Sequence, residues 1–396
     1  MQAELVEEQQ YNMRQWLRDN LKGDPIIWFV VGALSLISIA AVYSATGNLA
    51  YRKADGNTEF FLLKHTSIMA AALVLMWLVH NVPYRYFPRL FQIGLVASIP
   101  LLLLARITGT AVNEASRWLN IPIINQGFQP SDLAKVSLIG VVSFLLSKHQ
   151  HTTSKDVKDH FPMFAWIYGI FGLVALTNNS TALMLLATSV LLMFIGRVKF
   201  KFITWFLGVG IVLGILANVV GQRGGTAQNR IKSFFTEKEI PYQAQQSYIA
   251  IARGEWFGEG PGNSHQKNLI PHPYNDFIYA IIIEEYGMFG GTVVLLLFLV
   301  LLYRGMVTVA NSKNPFGGLL AAGLSFSIAI QAIINMAVAV GLFPITGQPL
   351  PWVSMGGTSL LFTGITFGII LSVSRGDQAA LSESKQVRNV VKRTAV

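Results

Sequence analysis

Three groups of charged residues sit in apolar surroundings and bound the chemistry this chain can do. Asp276 closes a Gly/Pro-rich polar loop and opens an apolar run in which Glu284 and Glu285 follow Ile281, Ile282 and Ile283. At helical rise the glutamates stand about 12 Å below Asp276, inside hydrocarbon if the run crosses a membrane. Ionised groups at that depth are costly and face a bundle interior or a wet cavity. Two readings of Asp276 stand open: a helix N-cap, and a general base at the mouth of a cavity. The second group is Gln129, Ser131, Asp132 and Lys135, around the helix start at Pro130. Ser131 and Asp132 suit capping, and a pairing of Asp132 with Lys135, three apart on one face, is the cheapest way to hold a lysine there. The third group is cationic, Arg117 and Arg253, each in a polar loop and suited to stabilising charge on a diphosphate.

The elements that must position these residues are transmembrane helices. Of 396 residues, 52% are hydrophobic and 13% charged, with mean hydropathy +0.48, which places the chain outside the soluble range. Apolar runs near 26–46, 61–81, 88–107, 128–147, 162–178, 180–196, 202–221, 276–303, 316–341 and 351–374 predict an all-α polytopic membrane protein of about ten helices. The large loop 222–275, between helices 7 and 8, falls on the outside. Basic residues concentrate on the side of the two termini, which puts both in the cytoplasm. Residues 1–25 read as a cytoplasmic amphipathic leader, 26–375 as the membrane domain and 376–396 as a basic cytoplasmic tail. Anionic lipid headgroups account for the net charge of +10, so no nucleic acid is needed. The absence of cysteine excludes disulfides and thiolate metal sites. The sequence has no Walker loop, zincin helix or Rossmann fingerprint.

The outer loops carry most of the remaining signal. YIAIARGEWFG, 248–258, reads as an interfacial helix, and Gly258, Gly260 and Gly262 read either as a nest for phosphate oxygens or as an ordinary turn. After the ninth run, Pro344, Pro349, Pro351, Gly356 and Gly357 bring broken backbone to the outer boundary, tolerated where it lines a cavity.

NEASRW at 113–118, FQPSDLAK at 128–135, the long stretch from Gly258 to Gly291, and FPITGQPLPWVSMGGTSLL at 343–361 resemble the signature regions of the SEDS family (shape, elongation, division and sporulation). The likeness runs from the first span to the last. VYSATGNLAYR at 42–52 resembles the division branch in the form found in Bacteroidetes. The resemblance implies a ten-helix peptidoglycan glycosyltransferase that polymerises lipid II at the outer face of the cytoplasmic membrane. It also implies a class B penicillin-binding protein and other divisome proteins as partners. The family's essential aspartate falls on Asp276, and its fourth-helix acid and lysine on Asp132 and Lys135. This chain departs from the family at Asp132, where glutamate is usual, at Thr177–Thr181, and at Glu259, which stands in place of a lysine.

Glycosyl transfer from a sugar diphosphate needs one base to take the acceptor hydroxyl proton, since pyrophosphate leaves with little acid assistance. Asp276 is the expected base. Arg117, Gln129, Ser131, Asp132, Lys135, Arg253, Glu284, Ser354, Gly356 and Gly357 are the expected substrate-binding positions, with no protein metal cluster and, at most, a divalent cation such as Mg or Mn carried with the diphosphate. The rival readings are a lipid II flippase, which would alternate access across the membrane, and a non-catalytic division scaffold, in which Asp276 is dispensable.

Overall fold

The computed structural model describes residues 20–47, 49, 57–108, 110–112, 115–121, 126–149, 157–220, 230, 234 and 240–394. Side chains are described for these except 110–112, 115–117, 120, 121, 126, 149, 157, 158, 217–220 and 377–394. The amphipathic leader, up to residue 19, lies outside the described residues.

Helices α1 (Pro25–Ala45), α2 (Thr58–Asn81) and α3 (Phe87–Thr108) come first. Three short strands follow, β1 (Thr110–Val112), β2 (Ala115–Ile121) and β3 (Gln126–Phe128), paired antiparallel in that order. Then come α4 (Pro130–His149), α5 (Phe161–Ala175), α6 (Asn179–Ile195), α7 (Phe200–Val220), the loop helix α8 (Tyr242–Gly254), α9 (Ile278–Asn311), α10 (Pro315–Ala339) and α11 (Gly357–Thr394). Among the described residues, α1, α2, α3, α4, α9, α10 and α11 are long and apolar enough to cross a membrane, while α5, α6 and α7 are shorter apolar helices. The described helices fall along the predicted apolar runs, and seven of them are long enough to span. The meander after α3 is the element that periodicity misses, because its strands are too short to set up an alternating pattern.

Burial separates the bundle into centre and rim. In their most apolar windows α4 and α10 bury 72% and 78% of residues, whereas α2 and α3 bury 22% and 28% and turn Leu63, Val74, Ile93 and Ile107 outward. Polar groups sent into the bundle on α4 and α10 are therefore shielded from lipid, which lowers the cost of holding a lysine or an amide there. The peripheral α2 packs against α11, and Gly364 and Gly368, four apart, permit it. A methyl group at those positions would stand 2.5 Å from the Ala72 carbonyl oxygen and 2.7 Å from that of Met76. This is the small-residue spacing through which membrane helices approach closely.

The decisive irregularity lies in α9. Gly287 adopts φ 70°, ψ −176°, and breaks the helix. In an unbroken helix the amides of Met288 and Phe289 would donate to the carbonyls of Glu284 and Glu285. Here they donate to Glu255 O at 2.8 Å and Trp256 O at 3.2 Å, and the two carbonyls accept instead from Glu259 N at 2.9 Å and Gly260 N at 3.0 Å. Two intrahelical bonds become four bonds to the loop after α8, so neither strand of backbone is left with an orphaned polar group. Gly254 and Gly258 permit the approach: a Cβ on either would come within 2.1 Å of Ile283 O or 2.3 Å of Glu285 O. The amides of Glu259 and Gly260 are thus committed to the helix, and the ordinary-turn reading of these glycines holds over the phosphate nest.

The break also divides α9 into two lengths. As one straight rod α9 would be about 51 Å long, well beyond a hydrocarbon core of about 30 Å, whereas residues 288–311 alone reach about 36 Å. Glu284 and Glu285 therefore precede the part of α9 that needs to span the membrane. At the other end of that part, Arg304 donates to the Asp24 carboxylate at 2.6 and 2.7 Å, tying α9 to the start of α1.

Gly287→Ala should lower the unfolding temperature in detergent, by a free energy of roughly 1–3 kcal/mol or more, because the added Cβ meets backbone in a left-handed conformation. It would lie 2.2 Å from Trp256 O, whereas Gly32→Ala, with open space around it, serves as the unperturbed control. Equal melts for the two variants would disprove the exchange of bonds.

Candidate active site

The turn that presents Asp276 is built by its carbonyls. Met355 N donates to Tyr274 O at 2.9 Å, Ser354 Oγ to Asn275 O at 2.5 Å, and Asn335 Nδ2 to Asp276 O at 2.8 Å. Three successive carbonyls are held by α10 and by the connection between α10 and α11. The N-cap of α9 is Phe277, with no side-chain cap, and Asp276 stands one residue before it. Its carboxylate is half-buried beside the turn at Gly347, where a built Cβ would lie 3.7 Å from Asp276 Oδ2. Gly347 has φ 65°, a conformation that favours glycine. Burial, and after it the charge of Asp276, raise the Tyr274 hydroxyl above its usual pKa of 10.0. That phenol stays protonated beside the carboxylate and hydrogen-bonds His272 Nδ1 at 2.8 Å.

Behind this turn runs a polar stripe on α10. Gln331 and Asn335, one turn apart and both buried, share a face. Asn335 Nδ2 also donates to Gln348 O at 2.8 Å, and Gln331 Nε2 donates to Pro349 O at 3.0 Å. Gln348 in turn reaches Thr181 Oγ1 at 3.1 Å and Asn178 Oδ1 at 3.4 Å, at the start of α6. The Lys135 ammonium donates to Gln331 Oε1 at 3.0 Å rather than to Asp132, which corrects the expected pairing. Asp132 is buried and lines the same narrow cleft as Lys135, Gln331, Ser359 and Thr363. Lys135 thus reaches the Asp276 turn through Gln331 and Asn335. Neither amide is among the expected positions, although two amides at i and i+4 in an apolar span are a legible signal.

Other expected positions turn out to support the backbone. Glu284 is fully buried, and its carboxylate accepts from Ser264 Oγ, from His265 N at 3.0 Å and from Gln266 N at 3.2 Å. Glu285, equally buried, accepts from Ser44 Oγ and from Ser264 N at 3.4 Å, and Lys267 reaches Ser44 Oγ at 3.4 Å. The glutamate pair therefore fastens the loop 264–267 to α9, and Glu284 is turned to the loop instead of to an open site. Ser354 is likewise engaged on both sides, accepting from Leu350 N at 2.8 Å. Arg253 is ion-paired with Glu259 at 3.0 Å, the acid standing where a lysine was expected. Gln129 Nε2 donates to Ser131 Oγ at 2.8 Å, and Gln129 N to Thr358 Oγ1 at 3.4 Å, joining the start of α4 to that of α11. Gly356 and Gly357 lie half-buried at that same start, just after Met355. Arg117 is on β2, with its side chain outside those described.

The model of the FtsW/RodA/SpoVE cell cycle protein family matches residues 24–379. The chain belongs to this family. It is a SEDS protein and a multi-pass membrane protein. It is 33% identical over 364 residues to the probable peptidoglycan glycosyltransferase FtsW of Geobacter sp. (strain M18), covering 89% of this chain and 96% of that one. With the stage V sporulation protein E of Bacillus subtilis (strain 168) it shares 31% identity over 365 residues, covering 89% and 98%. In fold it matches the rod shape determining protein RodA of Thermus thermophilus, at TM-score 0.65 and 22% identity over 91% of this chain and 98% of that one. A chain of a peptidoglycan synthase complex studied for its coordination of polymerization and crosslinking matches at TM-score 0.70 and 22% identity, over 90% and 98%. Every element that holds Asp276, from α4 to the start of α11, lies inside the family match.

The Lys135–Gln331 contact is open to a double-mutant cycle. Lys135→Met and Gln331→Leu should show a coupling of roughly 0.5–3 kcal/mol in thermal unfolding, and Lys135→Met with Asp132→Asn a smaller one. The reverse ranking would restore the acid–lysine pair.

Proposed function

We propose that this chain polymerises lipid II into glycan strands at the outer face of the inner membrane during cell division, with Asp276 as the general base. It is a peptidoglycan glycosyltransferase, as its FtsW relatives are named. The observation that carries the assignment to Asp276 is the triple clamp on the carbonyls of residues 274–276. A carboxylate that only capped a helix would need no such support, whereas a base must be held within hydrogen-bond reach of the proton it takes.

In the reaction the acceptor sugar hydroxyl attacks the anomeric carbon of the donor. The new C–O bond forms as the bond from that carbon to the lipid diphosphate breaks, and the hydroxyl proton passes to an Asp276 carboxylate oxygen. One inverting displacement gives a β-linked product. The diphosphate leaves carrying its charge, and Lys135 is the best candidate among the described cations to stabilise it, through direct approach or through the Gln331 amide. Arg253 is less suited, because Glu259 already neutralises it. Arg117 belongs to the same proposal, on the connection that carries the β-meander. Among the described residues no three His, Asp or Glu side chains converge, so a divalent cation would take most of its ligands from the substrate's own phosphates.

The same reading assigns residues 1–25 and 376–396 to the cytoplasmic side, where basic residues meet anionic lipid. A class B penicillin-binding protein crosslinks the product, and the other divisome proteins gather both enzymes at the division site.

Asp276→Asn removes the base while keeping a side chain of the same shape. In proteoliposomes with labelled lipid II and the partner transpeptidase, we expect glycan synthesis to fall by about 10²–10⁴-fold with no change in melting temperature. Full activity in this variant would end the assignment. Transfer of labelled lipid II across the bilayer without polymer would favour a transporter.

A further inference from the structure

The turn that leaves α8 carries two exposed aromatic side chains: Trp256 is 74% exposed and Phe257 86%. A pair of adjacent aromatics facing water is a large unburied apolar surface and marks a contact. The backbone of this turn says what the contact is. Glu255 O and Trp256 O accept from Met288 and Phe289, the first residues beyond the break in α9. From that point on the outward face of α9 is apolar and exposed through Met288, Phe289, Leu296, Leu299 and Tyr303. In a multi-pass membrane protein such a face meets acyl chains. Trp256 is bonded to the end of this face through its carbonyl, and Phe257 follows it in the same turn.

We infer that the Glu255–Gly258 turn is a membrane-inserted tip, with Trp256 and Phe257 seated at the headgroup–acyl boundary of the outer leaflet. Indole and phenyl rings concentrate at this level, where one end of the ring is apolar and the other wet. The turn is rigid enough to act as an anchor, because Gly258 N also donates to Gly254 O at 2.7 Å and the next two amides are bonded into α9. The charged residues flanking it do not oppose insertion: Arg253 and Glu259 neutralise each other at 3.0 Å just behind the aromatic pair. The anchor fixes the height of α8, and through the Glu284 and Glu285 contacts to residues 264–266 it fixes the approach to the Asp276 turn relative to the lipid surface. This inference rests on the membrane-spanning fold and not on the chemistry assigned to Asp276.

The chain has no cysteine, so a single introduced thiol takes a single nitroxide label. The full-length protein would be labelled at Phe257→Cys, at Trp256→Cys and, as a water-facing reference, at Pro261→Cys, then reconstituted in vesicles of phosphatidylethanolamine and phosphatidylglycerol. Collision rates with oxygen and with a nickel chelate give the depth of each label. At Phe257 and Trp256 the label is expected roughly 5–10 Å below the headgroup surface, with nickel access lost relative to Pro261. Nickel access equal to that at Pro261 would overturn the inference, because the tip would then be in water. Loss of both collision rates would overturn it as well, since the tip would be covered by protein. Because both side chains point outward, the melting temperature should be unchanged, and agreement between the two labels guards against a local distortion at either one.

Discussion

The architecture depends on backbone hydrogen bonds that a helix gives up. A break in a helix ordinarily leaves carbonyls and amides without partners, at a cost that rises steeply away from water. At Gly287 that cost is avoided, because the loop after α8 supplies two carbonyls and two amides in register with those the break releases. Three glycines, Gly254, Gly258 and Gly287, make this possible, since each lies so close to the opposing backbone that no Cβ fits. The loop after α8 is thereby fused to α9, and a segment that would otherwise be free to move becomes part of the scaffold.

Everything around the Asp276 turn is fastened from this seam. The buried carboxylates of Glu284 and Glu285 reach back to the loop and hold it through hydroxyl and amide donors, which lets two acids stay buried next to each other. A few residues later the chain meets the connection between α10 and α11, which takes hold of the carbonyls of Tyr274, Asn275 and Asp276. Side chains of α10 and the start of α6 secure that connection in turn. The main chain at Asp276 is consequently supported by neutral donors. This is the arrangement expected where a side chain must keep its geometry while its protonation state changes.

Membership of the FtsW/RodA/SpoVE family and the local geometry point the same way from independent observations. The family match covers the whole helical bundle, and the fold likeness to RodA persists at 22% identity. The departures are informative in physical terms. Glu259 pairs with Arg253 across the turn. Asn178, in the stretch that departs from the family pattern, caps α6 by accepting from Thr181 N and also accepts from Gln348, so an amide there ties two elements together.

The amino-acid sequence by itself determined the class, the places of the helices and the boundary at Asp276. Apolar runs long enough to span hydrocarbon have one solution in a membrane, and an aspartate between a polar loop and such a run marks a boundary. Tertiary structure alone decided what the charged residues do. Lys135 and Asp132 are a helix turn apart, yet the lysine turns to Gln331 on another helix, and local spacing cannot announce a partner 196 residues away. Glu284 reads as a buried charge awaiting substrate, but its partners are the amides of residues 265 and 266, which become available only once the loop folds back on α9. The break at Gly287 was equally hidden, since a glycine within an apolar helix is ordinary and becomes a hinge only when a second backbone arrives with matching donors and acceptors.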